Sequence, residues 1–258
     1  MSNIKKHISE IKKNGLTIIP NIISSNECDY YIKKCNNIIK KLLDKENTST
    51  FSRDCLWVSS PFRHDKKFFN LLYFSKLDKI LKTLIDQDYV LTNSSIINRK
   101  LTFNDNIKGE NMGDKWHTDS RYVGEKRLER GFGYIAILML EDFTKVNGCT
   151  KYIPKSHFSK KKPPRNLKIK HKLLTGKKGS MAIMDTGIWH AGGKPSRISR
   201  WSLYSYYSPW FVKPYYNYEK MLGRKKLKNL DINIRKLLHY YSTPPKNEDQ
   251  RIYTVIRP

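Results

Sequence analysis

The chain has 258 residues, 50 Lys+Arg against 23 Asp+Glu, and a formal net charge of +27. Hydrophobic residues make up 38% and aromatics 12%, enough to build a core, which excludes a disordered polyelectrolyte. The charge invites a nucleic-acid or anionic-membrane partner, but lysine supplies most of the excess, Asn, Ile and Tyr are abundant and Ala occurs three times, a pattern that AT-rich codons produce by themselves.

The N-terminal stretch MSNIKKHISEIKKNG is polar and lacks the apolar region of a secretory signal. No run approaches the roughly 18 apolar residues of a membrane span. The four cysteines, Cys28, Cys35, Cys55 and Cys149, form no C-x-x-C pair. The expectation is a cytoplasmic, reduced protein. Ile4, Ile8 and Ile11 sit at helical spacing, and Asn14-Gly15 ends that helix. Leu16–Pro20 is a short strand candidate. Ser24 to Glu27 has the spacing of a capping box. After it, Cys28, Tyr31, Ile32, Cys35, Ile38, Ile39, Leu42 and Leu43 form one apolar stripe on a helix of about five turns, which makes Cys28 and Cys35 core thiols. Residues 68–86 carry a third helical pattern.

From about residue 90 the period changes. Short β-rich runs follow: Val90–Phe103, Lys115–Thr118, Gly133–Leu140, Cys149–Pro154, Leu167–Leu174, Ser180–Asp185, Gly187–Ala191 and Arg200–Pro209. Turn signals such as Asn147-Gly148, Thr186-Gly187 and Gly192-Gly193 separate them. Eight strands of this length predict a barrel or double-sheet jelly roll. The expected organisation is a single domain over 1–258, mainly β with flanking helices. A helical part (about 1–90) packs on one sheet of a β core (about 90–210), and a helix and loop extension (about 211–258) follows.

Trp116-His117-Thr118-Asp119 carries the chemistry. Residues i and i+2 of a strand share a face, so His117 and Asp119 can present an imidazole and a carboxylate to one point. His190 follows a strand and a tight turn. Two imidazoles and a carboxylate make the facial triad of non-haem Fe(II) oxygenases, which leaves positions open for a bidentate co-substrate and O₂. Arg200 opens the last β run. A buried guanidinium fork suits the distal carboxylate of a dicarboxylic co-substrate, and Ser202 shares its face.

His117-x-Asp119, a histidine some 70 residues on and an arginine some 10 later resemble the phytanoyl-CoA dioxygenase-like branch of the Fe(II)/2-oxoglutarate oxygenases. The resemblance runs from about Leu16 to Pro245. It is strongest in Trp116–Asp119, in Leu140–His157, which looks like the family's "NG…PGSH" hairpin, and in Gly179–His190. It implies a cupin-like double-stranded β-helix with Fe(II) on His117, Asp119 and His190. It also implies 2-oxoglutarate chelated to the iron and anchored by Arg200, with O₂ as oxidant and succinate and CO₂ released. Polar residues on the preceding strand, Asn98 and Lys100, are further co-substrate contacts by the same resemblance. Asp119, which related halogenases replace by a small residue, favours hydroxylation or a related oxidation.

Two departures stand out. Lys155 replaces the "PGSH" glycine, so that loop is expected to take another backbone path, because Lys rarely visits φ > 0. The His190–Arg200 spacing is one residue short of the commonest one, which makes Arg197 a competitor; Arg200 is preferred because it starts a β run. His157 is expected to be structural, and His7, His64, His171 and His239 to face solvent. Residues 155–178 carry ten basic residues and no acidic one, Lys160, Lys161 and Lys162 among them. They are either a solvated surface loop or a basic lid that attracts an anionic small molecule. The alternatives to a small-molecule hydroxylase are a nucleic-acid or protein demethylase, using aromatics such as those of Lys213–Tyr218 to stack bases, and a non-catalytic jelly-roll binding protein.

Overall fold

The computed structural model describes residues 2–44, 51–52, 55–101, 115–119, 133–159, 161–163 and 169–243. Helix α1 (Ser2–Asn14) ends on Gly15 at φ 82°, whose N–H returns to the Ile11 carbonyl at 2.7 Å. A side chain on Gly15 would strike Ile188 at 2.3 Å, so glycine is required by both conformation and space. Strand β1 (Leu16–Ile19) follows, then α2 (Ser25–Asp44). The capping box forms as expected: the Ser24 N–H donates to Glu27 Oε2 at 2.8 Å and the Glu27 N–H to Ser24 Oγ at 3.2 Å. Cys28 and Cys35 are buried on the α2 stripe as free thiols, and burial pushes the Cys28 thiol up to about 11.

The reading of the first 90 residues as mainly helical needs one correction. Residues Phe51–Ser52 (β2) and Cys55–Ser59 (β3) are strands, and β3 pairs with β4 (Tyr89–Asn98). Leu56 and Val58 point to the core shared with the helices while Trp57 points to the opposite face and is exposed, a period too short to stand out beside the neighbouring helices. The third helical stretch is split into a 3₁₀ segment at Lys66–Leu71 and α3 (Ser75–Leu84).

Seven of the eight expected β runs contain strands: β4, β5 (Tyr134–Met139), β6 (Lys151–Tyr152), β7 (Lys172–Leu173), β8 (Met181–Asp185), β9 (His190–Ala191) and β10 (Trp201–Pro209). The remaining run, at 115–118, forms one bridge through His117. The larger sheet has the order β1-β8-β5-β10-β4-β3-β2 and the smaller one β7-β6-β9, with antiparallel pairing in every ladder. This is the cupin-like jelly roll of the expected fold class. After β10 come three short helices, α4 (Tyr218–Leu222), α5 (Arg224–Lys228) and α6 (Ile232–Leu237).

Register sorts the large sheet into two faces. Ile19, Val58, Ile96, Leu138, Ile183, Trp201 and Leu203 face outward and share one apolar core with α1, α2 and α3. Leu16, Ile135, Ile137, Met139, Ala182 and Met184 face inward and meet Phe143, Cys149, Leu174 and Ile188 in a second. Two-sided burial explains why β5 and β8 read as continuous apolar runs rather than alternating ones. His7 and His239, expected to face solvent, are both buried. His7 Nδ1 lies 2.8 Å from Thr17 Oγ1, and His239 Nε2 donates to the Leu91 carbonyl at 3.1 Å.

Candidate metal centre

The three expected ligands converge between the sheets. His117 and His190 exchange both backbone N–H···O=C bonds, each 3.0 Å. This hydrogen-bonded antiparallel pair sets the two imidazoles side by side, with ring centroids 4.3 Å apart. Asp119 reaches the same point from two residues on, its N–H held by the Thr186 carbonyl at 2.9 Å. One ligand atom from each of His117, Asp119 and His190 lies within 4.8 Å of the others. Asp119 Oδ2 is 3.2 Å from His190 Nε2, and Oδ1 is 3.9 Å from His117 Nε2. Ligand atoms held about 2.1 Å from one metal at right angles are about 3 Å apart, so the group is close to a coordinating arrangement.

The other ring nitrogens fix the tautomer. His117 Nδ1 is 2.7 Å from the Lys115 carbonyl and His190 Nδ1 is 3.0 Å from the Ile188 carbonyl. A carbonyl can only accept, so each Nδ1 carries a proton, and Nε2 is the nitrogen left to give its lone pair to a cation. Burial, then the neighbouring His190, pushes the His117 imidazole down. Burial works to raise the Asp119 carboxyl, but the adjacent His190 outweighs it and holds Asp119 below the usual carboxylate range. Burial likewise works to lower His190, and Asp119 outweighs it, so His190 is raised. Asp119 is thus a carboxylate at neutral pH, as a cation ligand must be.

Several elements hold these ligands. Asp185 Oδ1 accepts the Gly187 N–H at 2.7 Å and shapes the turn before His190. Ser156 Oγ accepts the Trp189 N–H at 2.7 Å. Gly193 lets residues 190–193 pass close to the Cys149 carbonyl, which a Cβ there would approach to 2.3 Å. Lys155, expected to divert the hairpin, instead adopts the left-handed conformation at φ 67°. The loop keeps the glycine-like path and Lys carries its steric cost. His157 is structural, with Nε2 3.2 Å from the Lys12 carbonyl.

A cavity of about 180 Å³ opens beside the triad. Apolar walls come from Ile97, Ile135, Ile137 and Met184, and polar ones from Asn93, Ser95, Arg99, Arg200, Tyr204 and Tyr206. Arg200 is only 2% exposed, and its guanidinium carbon sits 4.3 Å over the Phe143 ring. Its Nε and one terminal nitrogen have no partner among the described residues. Buried donors left unmade are costly, so two such atoms on a side chain that lines a cavity suit an acceptor bound there. Arg197 is exposed.

Of the other expected co-substrate residues, Asn98 and Lys100 do not line this cavity. Asn98 lies on the outward face of β4, opposite Leu56 and Trp201, and its Oδ1 accepts the Arg200 N–H at 3.0 Å. It supports Arg200 through the backbone instead of lining the cavity. Lys100 is exposed beyond the strand and does not line it. Ser202 faces inward, but its hydroxyl donates to the Ile97 carbonyl at 3.2 Å. Arg99, one residue from both expected positions, lines the cavity while 3% exposed, and donates to the Gly193 carbonyl at 3.0 Å. Strand β4 is buried on both faces, so no alternation in the sequence told which parity points inward. None of the described residues of 155–178 lines this cavity; Lys177 pairs with Asp142 at 2.9 Å and Lys178 with Asp29 at 3.0 Å. Lys160, Arg165 and Lys168 lie outside the described residues.

Residues 11–200 match the profile of the phytanoyl-CoA dioxygenase (PhyH) family. The chain belongs to the phytanoyl-CoA dioxygenase family. Membership makes it a 2-oxoglutarate-dependent enzyme with iron as cofactor. No curated protein sequence matches the chain. Among solved structures, the epimerase SnoN in complex with Fe³⁺, α-ketoglutarate and nogalamycin RO is similar at TM-score 0.61 and 13% identity, over 83% of this chain and 87% of that one. HygX from Streptomyces hygroscopicus, with nickel and 2-oxoglutarate bound, is similar at TM-score 0.62 and 13% identity, over 82% and 89%. The carbocyclase SnoK from nogalamycin biosynthesis is similar at TM-score 0.59 and 15% identity, over 80% and 83%. At these identities the likeness is one of fold. No helix among the described residues is long and apolar enough to cross a membrane.

Proposed function

We propose that the chain uses His117, Asp119 and His190 to hold Fe(II), anchors 2-oxoglutarate on Arg200, and hydroxylates or otherwise oxidises a small molecule. The observation that carries this reading is the pairing of the triad with a buried guanidinium that lines the same cavity and whose Nε and one terminal nitrogen have no partner among the described residues. The donor set, two imidazoles and one carboxylate, fits an iron that must keep open positions. The Arg200 fork fits a carboxylate through two charge-assisted hydrogen bonds. When bound, iron with 2-oxoglutarate and O₂ supplies the oxidising power, with succinate and CO₂ as co-products. The chain's own residues set the geometry. The Nδ1–H bonds to Lys115 and Ile188 fix the imidazoles, Asn98 fixes the Arg200 backbone, and Ile97, Ile135, Ile137 and Met184 keep the floor of the cavity dry. Retention of Asp119 supports hydroxylation, while the epimerase and carbocyclase neighbours show that this fold also serves other outcomes.

The test is anaerobic spectroscopy followed by turnover. Fe(II) plus 2-oxoglutarate should give a weak visible charge-transfer band in the wild type and none in His117→Ala. Under air, slow succinate release without added substrate should follow and should stop with a chelator. Absence of both band and succinate would refute the proposal.

A further inference from the structure

Beside the cavity lies a larger groove of about 700 Å³, lined by Thr92, Asp119, Tyr206 and residues 211–216. The two spaces share Asp119, Tyr206 and Tyr215. A molecule in the groove therefore meets the carboxylate that the proposed iron would share. The wall is unusual for a protein surface. Phe211 is 65% exposed, and Trp210, Tyr215 and Tyr216 are exposed beside it. Contiguous exposed rings cost solvation and mark binding surfaces.

The wall is also built, not frayed. The Val212 N–H donates to the Pro209 carbonyl at 3.0 Å, and the Tyr215 N–H to the Thr92 carbonyl at 3.0 Å. The Tyr218 hydroxyl donates to the same carbonyl at 3.2 Å. The β4–β10 register shifts between Tyr206 and Tyr207, opposite Asn93 and Leu91, which leaves Thr92 as the extra residue. Bulges of this kind re-aim side chains beside functional sites. Rings fixed on an ordered backbone lose little entropy when a ligand stacks on them. Among the described residues lining the groove, Asp119 is the only acid and faces the metal centre, and Lys213 is the only base.

We infer that this groove is the substrate site, and that its substrate class is a flat, ring-bearing small molecule carrying an anionic group. The rings stack on Phe211, Tyr215 and Tyr216, and the anion is held near Lys213. The volume suits a molecule of two to four fused rings, within the roughly 300–1,000 Å³ of ordinary ligand sites. The inference rests on the iron/2-oxoglutarate reading for what happens to the molecule, but not for its binding. The Lys213–Tyr218 segment, whose sequence suggested base stacking, is thereby assigned to a small molecule and not to a polynucleotide.

The test uses the full chain and anthraquinone-2-sulfonate as probe, with titration calorimetry as readout. Melting curves check that each variant is folded. The wild type should bind the sulfonate more tightly than decanoate, an unbranched anion, and more tightly than a dT₁₀ oligonucleotide. Phe211→Ala and Tyr216→Ala should each weaken the probe about tenfold, as expected for losing one stacked ring. Phe211→Tyr should restore it. Lys213→Gln should weaken it several-fold at low salt and little at high salt. Tyr30→Ala removes an exposed ring that also carries a nearby lysine, Lys34 at 5.3 Å, on α2; it should leave probe binding unchanged. Equal loss in Tyr30→Ala and Phe211→Ala, or tighter binding of decanoate or dT₁₀, would overturn the inference. A charge-transfer band with no probe binding would overturn the groove alone. Probe binding that responds to Phe211 with no band would uphold the groove and overturn the iron reading.

Discussion

Replacing Arg200 by Met separates two effects that usually move together. Arg200 is 2% exposed, its guanidinium stacks on Phe143 at 4.3 Å, and its Nε and one terminal nitrogen have no acceptor among the described residues. Hydrogen bonds to a charged group are worth about 1.5–3 kcal/mol each. Losing two from a bound carboxylate costs about 3–6 kcal/mol, or roughly 10²- to 10⁴-fold in the Kd of 2-oxoglutarate. Without co-substrate, the same residue is a buried charge that the described residues do not fully satisfy. Methionine of similar length fills that space with apolar atoms, so the empty protein should be as stable as the wild type or more so. Arg200→Lys keeps a charge but loses the fork, and should fall between. The assay is calorimetric binding of 2-oxoglutarate and of 2-oxobutyrate, which lacks the distal carboxylate, to protein loaded with Mn(II), beside melting curves without ligand. Arg200→Met should abolish the preference for 2-oxoglutarate. A variant that melts well below the wild type yet keeps that preference would show the guanidinium to be structural and refute the reasoning.

Asn98→Ala should raise the KM for 2-oxoglutarate several-fold with metal affinity unchanged, because the Asn98 Oδ1 bond holds the Arg200 backbone; Asn98→Asp, which keeps the acceptor, should recover most of it. Lys155→Gly should stabilise the protein: relieving the left-handed strain returns about 1–2 kcal/mol, the unfolded-state entropy of glycine takes back about 0.4–1 kcal/mol, and the net of up to about 1.6 kcal/mol should raise Tm by up to about 6 °C. A fall in Tm would show that the lysine side chain makes a contact worth more than the strain. His239 is buried, and burial pushes its imidazole down to about 4 from an unfolded value of 6.5. Its contribution is complete above pH 6.5 and is lost as pH falls toward 4, to a limit of about 3 kcal/mol. Chemical denaturation from pH 7 to 4 should show this fall, and His239→Gln should flatten it, leaving the slope from His7 and His117, which burial also lowers. An unchanged slope would place the acid sensitivity elsewhere.

Legibility in the sequence followed locality. The capping box at Ser24–Glu27, the αL stop at Gly15 and the thiols of the α2 stripe were readable because each depends on residues within one or two turns. The β runs were readable in order, since turn signals punctuate them. Strand β3 was not, because five residues alternating beside helical stretches give too short a period, and what makes them a strand is pairing with β4, some 40 positions away. The motif around Lys155 pointed to a change of path that the hairpin's other contacts override. His7 and His239 looked solvent-facing because their sequence neighbours are polar, while their burial comes from Thr17 and Leu91.

The sequence by itself singled out His117, Asp119, His190 and Arg200, and the order of elements that brings them near one another. Spacing within a strand and order along the chain are one-dimensional facts. The tertiary structure alone decided parity and enclosure. Strands buried on both faces carry no alternation, so only pairing shows that Arg99 points into the cavity and Asn98 away from it. The net charge of +27 belongs to the same division. Counting identified it, but only the packing shows Lys177 and Lys178 held by acidic partners while Lys213 stands among rings at the groove.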